Sequence, residues 1–159
     1  MTVVLPVSVA LLVKDEETRL PDCLASLPGC GEEVVALDTG SADGTVALLR
    51  ARGARVASGA PVDDYSVARN ALLALCTRPW VLVLDADERL PAAAGDVLAA
   101  WTRSRRYDGY WLARDNYAAD GTRLFRDAVL RLFRNAPDIR FSGAVHESVA
   151  PALAAAGGR

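Results

Sequence analysis

A short apolar run that stops abruptly at carboxylates constrains the fold of this chain most. Trp80–Leu84 is uninterrupted hydrophobic sequence, and Asp85, Asp87 and Glu88 follow it directly. Such a run is typical of a strand that is buried on both faces of a mainly parallel sheet. Because α/β sheets bind ligands at the carboxyl ends of their strands, Asp85 and Asp87 are candidate ligand-binding residues. The motif alone is equally compatible with a strand followed by a solvated acidic turn that binds no ligand.

The first half of the chain alternates between strand patterns and helix patterns. Strands are predicted at residues 7–13, 33–37, 54–58 and 80–84. Helices are predicted between them, at residues 16–27, 45–52 and 63–76. In the third helix we expect Val67, Leu72, Leu75 and Cys76 to face the core. This alternation favours a mainly parallel sheet with helices on both faces.

The pattern changes after Asp87. A helix is predicted at residues 91–103, a strand at 109–114, and a hairpin of two strands, 123–126 and 129–133, around Asp127 and Ala128. The Ala/Gly-rich segment 150–159 is predicted to fray. We therefore expect a smaller antiparallel part after the parallel part.

Composition excludes several classes of function. The net charge of -2 gives no general attraction to nucleic acid. Cys23, Cys30 and Cys76 lack metal-ligand spacing, so reduced structural thiols are expected. The apolar start, residues 3–13, has no basic segment before it and is followed by Lys14 and acids, so it is interpreted as a buried strand and not as a signal peptide. No apolar segment is long enough to span a bilayer.

The second predicted strand also ends at a carboxylate, Asp38. A turn rich in Gly and Ser follows, with Asp43 and Thr45 at the start of the next helix. Asp38 could accept hydrogen bonds from a base or ribose in the crevice. Turn chemistry is the competing explanation, because Ser and Asp side chains satisfy backbone donors at such turns.

Several ordered motifs together resemble glycosyltransferase family 2, whose members are inverting enzymes of the GT-A fold. The resemblance spans roughly residues 5–149 and is carried by residues 9–17, 37–45, 65–70 and 83–88. The later residues 131–135 and 141–147 are similar to a bacterial subgroup associated with lipopolysaccharide-core glycosyltransferases. Ordered motifs are far more specific than a lone Asp-x-Asp.

The resemblance implies roles for individual residues. Asp38 would contact the base or ribose, Arg69 the base and phosphates, and Asp85 the ribose and the metal-bound diphosphate. Lys14 and Arg134 would also contact the donor. Asp87 would be the principal ligand of a divalent cation. Glu147 would be the catalytic base and His146 a metal or diphosphate contact, and these last two roles could be exchanged.

The implied protein is a single GT-A-like domain over residues 1–159. Residues 1–90 would bind the nucleotide-sugar, residues 91–149 would face the acceptor, and residues 150–159 would form a flexible tail. The expected cofactor is Mn²⁺ or Mg²⁺, the preferred donor a UDP-sugar, and the acceptor a cell-surface glycan or a lipid-linked sugar. The expected location is the cytoplasm or the inner face of the membrane.

Three alternatives compete with a sugar transferase. A phosphohydrolase would need its Asp-x-Asp after the first strand and a Thr where Arg89 stands. A Rossmann oxidoreductase would need GxGxxG after the first strand, which is absent. A non-catalytic or truncated nucleotide-sugar-binding protein stays open, because relatives usually continue well beyond the position of Glu147.

Overall fold

The computed structural model describes residues 5–104, 106–143 and 146–158. Within them, one six-stranded sheet has the order β3-β2-β1-β4-β6-β5. The strands are β1 (Val7–Val13), β2 (Glu33–Asp38), β3 (Arg55–Ser58), β4 (Trp80–Leu84), β5 (Gly109–Tyr117) and β6 (Arg123–Arg134). The helices are α1 (Leu20–Ala25), α2 (Thr45–Ala51), α3 (Tyr65–Leu75), α4 (Ala94–Arg103) and α5 (Ala150–Ala155).

The parallel half of the sheet was predicted and is confirmed. β1 pairs in parallel with β2 on one side and β4 on the other, with Val13 opposite Asp38 and Leu11 opposite Leu84. All five residues of β4 are buried, as its continuous apolar sequence requires. Because these strands run the same way, the residues that follow them meet at one edge of the sheet.

The antiparallel half differs from its prediction. β6 is one continuous strand that pairs with β4 and with β5, and the hairpin joins β5 to β6. Its turn lies at residues 118–122, where Gly121 has a φ of 85°. Asp127 and Ala128 do not turn the chain, because Asp127 pairs with Arg114 across the two strands. The predicted hairpin around these two residues is therefore wrong.

Two predicted helices also differ in detail. α1 begins at Leu20 and not at residue 16, and the amides of Glu16 and Glu17 donate to Thr45 and Asp43. In α3, Val67 is 65% exposed, which corrects its predicted inward position. The buried residues of α3 are Ser66, Arg69, Leu72 and Leu73, and Asp64 caps the start of the helix.

The core lies on both faces of the sheet. On one face, α1, α2 and α4 cover the strands through Leu20, Leu49 and Leu98. On the other, α3 and α5 contribute Leu72 and Leu153. The segment predicted to fray contains α5, because the buried Leu153 anchors it. Across the described residues, no helix combines the length and apolarity needed to cross a bilayer.

Candidate active site

A pocket of about 490 Å³ opens where β1 and β4 end, beside α3. Its wall includes Lys14 after β1, Thr39 after β2, Arg69 on α3, and Asp85 and Asp87 after β4. Four of the predicted donor or metal residues therefore share one cavity: Lys14, Arg69, Asp85 and Asp87. The parallel register brings them together, although they lie far apart in sequence.

Arg69 is the buried cation of this pocket. Only 8% of the residue is exposed, although it is an arginine. Its Nη2 donates to Asp85 Oδ1 at 2.8 Å, and its Nε donates to Glu147 Oε1 at 2.6 Å. Its Nη1 is buried and has no hydrogen-bond partner among the described residues. A buried donor without a partner costs free energy, so this nitrogen is suited to receive an anion.

Asp85 is held by two arginines. Its second oxygen, Oδ2, accepts a hydrogen bond from Arg131 Nη2 at 2.6 Å. Burial by itself would raise the pKa of Asp85, but the charges of Arg131 and Arg69 outweigh burial and lower that pKa below its ordinary value. Asp85 is therefore an anion at neutral pH, and both of its oxygens are already engaged.

Asp87 has a different environment. It is exposed, and it lines the pocket together with Asp85. Within the described residues, no three His, Cys, Asp or Glu side chains are grouped so that they could hold a metal ion. Protein side chains alone thus form no metal cage there, and Asp87 is the carboxylate most available to a cation that enters with its own oxygen ligands.

Asp38 is engaged by its own turn. It is 7% exposed, and its carboxylate accepts hydrogen bonds from the amides of Gly40, at 3.3 Å, and Ser41, at 3.2 Å. The same turn is tied to the segment after β1, because the Asp15 amide donates to Ser41 Oγ at 2.9 Å and Asp15 Oδ1 accepts from the Ala42 amide at 2.7 Å. Thr39, and not Asp38, lines the pocket.

Glu147 joins the site through Arg69, whereas His146 stays outside the hydrogen-bond network of the described residues. His146 is exposed and has a φ of 61°. The segment that carries both is attached to α3 by Asn70, whose Nδ2 donates to the Phe141 carbonyl at 3.0 Å and whose Oδ1 accepts from the Phe141 amide at 2.8 Å. A bridge between Ser142 and Ser148 closes the loop. Ala144 and Val145, part of the same motif, lie outside the described residues.

Arg134 lies apart from the other predicted donor residues. Its guanidinium stacks on the Trp80 ring, 4.1 Å from the centroid, and its Nε is 3.6 Å from Asp108 Oδ1. It lines a separate cavity of about 460 Å³. Trp80 begins β4, and Asp85 follows its end. Because β6 runs antiparallel to β4, Arg134 lies beside Trp80 at one end, whereas Arg131 lies toward Asp85 and the site.

Two site residues were not singled out from the sequence. Glu88 bonds to Arg131 through Oε1 and accepts from the Asp85 amide at 3.0 Å through Oε2. Arg114 on β5 reaches Glu88 at 3.4 Å. Glu88 belongs to the acidic run after β4, which was the available signal, but its partners on the hairpin required the correct strand register.

Cys23 lies beneath the same loop, and its Sγ contacts the Asp85 carbonyl at 3.8 Å. Burial, and then the charges of Glu88, Asp87 and Asp85, raise the pKa of this thiol to about 12. The thiol is therefore protonated at neutral pH. It is a packing group and not a nucleophile, as expected for a reduced structural cysteine.

The sequence has relatives of established family. The model of the family described as "Glycosyl transferase family 2" matches residues 8–150. A TPR repeat-containing protein of Synechococcus elongatus is 41% identical over 94% of this chain and 36% of its own length. The lipopolysaccharide core biosynthesis glycosyltransferase LpsC of Rhizobium meliloti is 32% identical over 92% of this chain and 58% of its own length. The chain thus spans only part of the curated relatives that it matches.

Solved structures show the same fold. S. aureus TarS 1-349 in complex with UDP-GlcNAc has a TM-score of 0.63 and 19% identity, over 86% of this chain and 48% of that one. The mannosyltransferase PcManGT of Pyrobaculum calidifontis, in complex with GDP-Man and Mn²⁺, has a TM-score of 0.56 and 21% identity, over 68% of this chain and 35% of its own. With the family match over most of its length, the chain belongs to glycosyltransferase family 2 and has the GT-A fold.

Proposed function

We propose that this chain catalyses an inverting, metal-dependent transfer of a sugar from a nucleotide-diphospho-sugar to an acceptor hydroxyl. The observation that carries the proposal is Arg69, a buried arginine that lines the pocket with one Nη1 donor lacking a partner among the described residues. It stands beside Asp85, and Asp87 lines the same pocket. A buried arginine in the same pocket as the exposed carboxylate of Asp87 suits a diphosphate that binds together with a metal ion.

The diphosphate would be bound by Arg69 and Lys14. A guanidinium presents several N–H donors in a fixed plane, so Arg69 can keep its bonds to Asp85 and Glu147 while Nη1 donates to a phosphate oxygen. Lys14, after β1, adds positive charge on the same wall of the pocket. Asp38 would support the nucleoside side indirectly, by holding the turn that presents Thr39.

The donor set fits Mn²⁺ or Mg²⁺. Such ions are commonly bound by one or two protein carboxylates together with substrate phosphates and water. Asp87 would be the principal ligand, and Asp85 a nearby second carboxylate whose oxygens already pair with arginines. The bound ion would neutralise charge on the departing diphosphate. The presence of Mn²⁺ with GDP-Man in PcManGT supports this assignment.

Glu147 would take the proton from the acceptor hydroxyl. Its Oε1 is oriented by Arg69, and the side chain is only 15% exposed. A base positioned in this way typically contributes about 10²–10⁴ in rate. His146 is the alternative base, from an exposed position two residues before Ser148.

The acceptor is proposed to be a cell-surface glycan or a lipid-linked sugar, with a UDP-sugar as donor. The name of LpsC, a lipopolysaccharide core biosynthesis enzyme, supports the acceptor class, and UDP-GlcNAc in TarS supports the base. These reactions would place the protein in the cytoplasm or at the inner face of the membrane.

Calorimetry with UDP, GDP and dTDP, each with and without Mn²⁺, tests the donor site. We expect one diphosphate to bind more tightly when the metal is present, and Asp87→Ala to abolish that gain because the principal metal ligand is removed. Asp138→Ala is the matched control, since it removes one exposed carboxylate that lines the other cavity. If Asp87→Ala retains the full metal-dependent gain, the metal assignment is wrong.

Transfer from the preferred donor tests the base. Glu147→Gln should lower kcat by about 10²-fold or more while donor affinity stays within a few fold, because the amide preserves shape but cannot accept the proton. His146→Gln is measured in parallel. Full activity in Glu147→Gln with loss in His146→Gln would exchange the two roles, and full activity in both would refute base catalysis from this loop.

A further inference from the structure

The geometry points to Glu88 and Arg131 as positioning residues that hold the loop of Asp85 and Asp87 in its metal-binding orientation before the donor arrives. Neither residue lines the pocket. Both contact Asp85 directly. The inference rests on the proposed function and deepens it, because it concerns how the same carboxylates are prepared for the metal and the diphosphate.

Glu88 holds Asp85 by two routes. Its Oε2 accepts the Asp85 amide at 3.0 Å, which closes the turn after β4. Its Oε1 bonds to Arg131 Nη2, and the same nitrogen donates to Asp85 Oδ2 at 2.6 Å. The backbone and the carboxylate of Asp85 are therefore held by one connected set of bonds, and Asp87 follows two residues later.

The set of bonds extends into the hairpin. Arg131 lies on β6, and its side chain is 10% exposed. Arg114 on β5 joins Glu88 at 3.4 Å and pairs with Asp127 through two bonds, at 3.0 and 2.6 Å. The loop after β4 is thus anchored to two strands of the antiparallel half. These two strands are paired with each other from Gly109 to Tyr117, so both arginines reach the loop from one hairpin.

Electrostatics require such an anchor. Asp85, Asp87 and Glu88 lie within four residues of one another, and like charges so close repel unless cations lie between them. Arg131 bonds to both Asp85 and Glu88, and Arg69 bonds to the other carboxylate oxygen of Asp85. The arginines therefore keep the carboxylates gathered before any metal binds. Fixing groups in the bound geometry raises affinity by reducing the ordering cost.

The first test compares the affinity for UDP with and without Mn²⁺. In Glu88→Gln we expect the increase in UDP affinity that Mn²⁺ causes to fall by about 10-fold or more, as is typical when a residue that orients a metal ligand is lost. The affinity for UDP alone should stay within about twofold of the wild-type value. A purely structural loss would weaken both affinities equally. An unchanged gain, or an equal loss in both conditions, overturns the inference.

Asp115→Asn is the matched control. It also removes one negative charge, from an acid on β5 that pairs with Arg126 and Arg123 at the exposed side of the hairpin. The wild-type metal-dependent gain is expected in this variant. An equal fall in Asp115→Asn and Glu88→Gln would show a net-charge effect and would overturn the role of Glu88.

Amide hydrogen exchange of the ligand-free protein provides a second, donor-independent test. In Glu88→Ala the Asp85 amide loses its acceptor, so its exchange should accelerate by about 10-fold or more, while amides in the centre of β4 keep their protection. Unchanged exchange at Asp85 overturns the inference. A wild-type protein that binds none of the nucleoside diphosphates refutes the proposed function instead, and exchange alone then decides whether Glu88 anchors the loop.

Discussion

Glu33 joins three segments of the chain through one carboxylate. Its Oε1 accepts hydrogen bonds from the Ser8 hydroxyl and from the Thr77 amide and hydroxyl, the last two at 2.7 and 3.0 Å, and its Oε2 faces Arg55 at 3.4 Å. Burial by itself would raise the pKa of Glu33, but the bonds from Ser8 and Thr77 and the charge of Arg55 outweigh it, and the pKa is lowered. The ionised form therefore stabilises the fold.

The stability contributed by Glu33 should depend on pH. Its folded pKa is depressed, so the contribution is present above the unfolded value of about 4.3 and is lost as the pH falls through the folded pKa. Glu33→Gln should lower the free energy of unfolding at pH 7 by about 1–2 kcal/mol, and the deficit should shrink below about pH 4. Urea unfolding at several pH values measures this. Glu32→Gln, which affects one half-exposed pair with Arg78, is the control, and a deficit of constant size would contradict the explanation.

The sequence alone identified some single residues better than others. Asp85 and Asp87 could be predicted to face one crevice, because they follow the end of a buried strand, and the family resemblance added Arg69. Arg134 could not be placed, since its neighbour Trp80 lies on another strand. Arg131 and Arg134 make different contacts in the structure, because Arg131 pairs with Asp85 whereas Arg134 lines the second cavity.

At the scale of elements, α3 and the segment after β6 act as one unit. Arg69 and Asn70 are neighbours on α3, and while Arg69 bonds Glu147, Asn70 exchanges two hydrogen bonds with the backbone of Phe141. The Phe141 ring also lies 5.7 Å from the Arg69 guanidinium. The position of Glu147 therefore depends on a helix that lies about half the chain away in sequence.

Asn70→Ala should consequently affect stability and catalysis together. Removal of the amide leaves two backbone groups of Phe141 without partners and should lower the free energy of unfolding by about 1–3 kcal/mol. We also expect kcat to fall, since the segment that carries Glu147 loses its attachment to α3 at Phe141. Asn135→Ala is the matched control. Asn135 Nδ2 also donates two hydrogen bonds to the backbone, to the Cys76 and Arg78 carbonyls at 3.0 and 2.9 Å, and it lies away from the site.

Measurements of unfolding and of sugar transfer on both variants separate the two effects. A comparable loss of stability with normal kcat is the expected result for Asn135→Ala. If Asn70→Ala keeps its kcat at a temperature where it is fully folded, the segment is positioned without Asn70, and the coupling between α3 and Glu147 is contradicted.

Elements were predicted unevenly, for a physical reason. Strands β1 and β4 are buried and locally apolar, so their own sequences define them. The hairpin is half exposed, and its strands mix polar and apolar residues without a regular alternation, so its sequence would suit several turns. The pairing of Arg114 with Asp127 sets the register between β5 and β6, and this register places the turn at Gly121.

At the scale of the whole molecule, the parallel and antiparallel halves share one sheet and have no separate cores. Leu82 of β4 and Leu132 of β6 are register partners at the junction, and both are 0% exposed. Both core clusters also contain residues of β4 and β6: one holds Leu82 and Leu132, and the other Val81 and Phe133. The parallel and antiparallel halves should therefore unfold together.

Leu82→Ala and Leu132→Ala should each lower the free energy of unfolding by about 2–5 kcal/mol, because each leaves a cavity at the junction. The double variant should deviate from additivity, since the two side chains are neighbours. Circular dichroism and tryptophan fluorescence should report one coincident transition. Separate transitions for the two probes would show that the halves are independent units.

The sequence by itself determined the parallel half of the sheet, the strand ends that carry Asp85 and Asp87, and membership of the glycosyltransferase family. These depend on local burial and on short ordered motifs, which are readable along the chain. Only the tertiary structure decided which charges meet: Arg69 with Glu147, Arg131 with Glu88, and Arg134 with Trp80. Such pairs join residues distant in sequence, and their choice depends on strand register and on the balance of burial and charge that the complete fold creates.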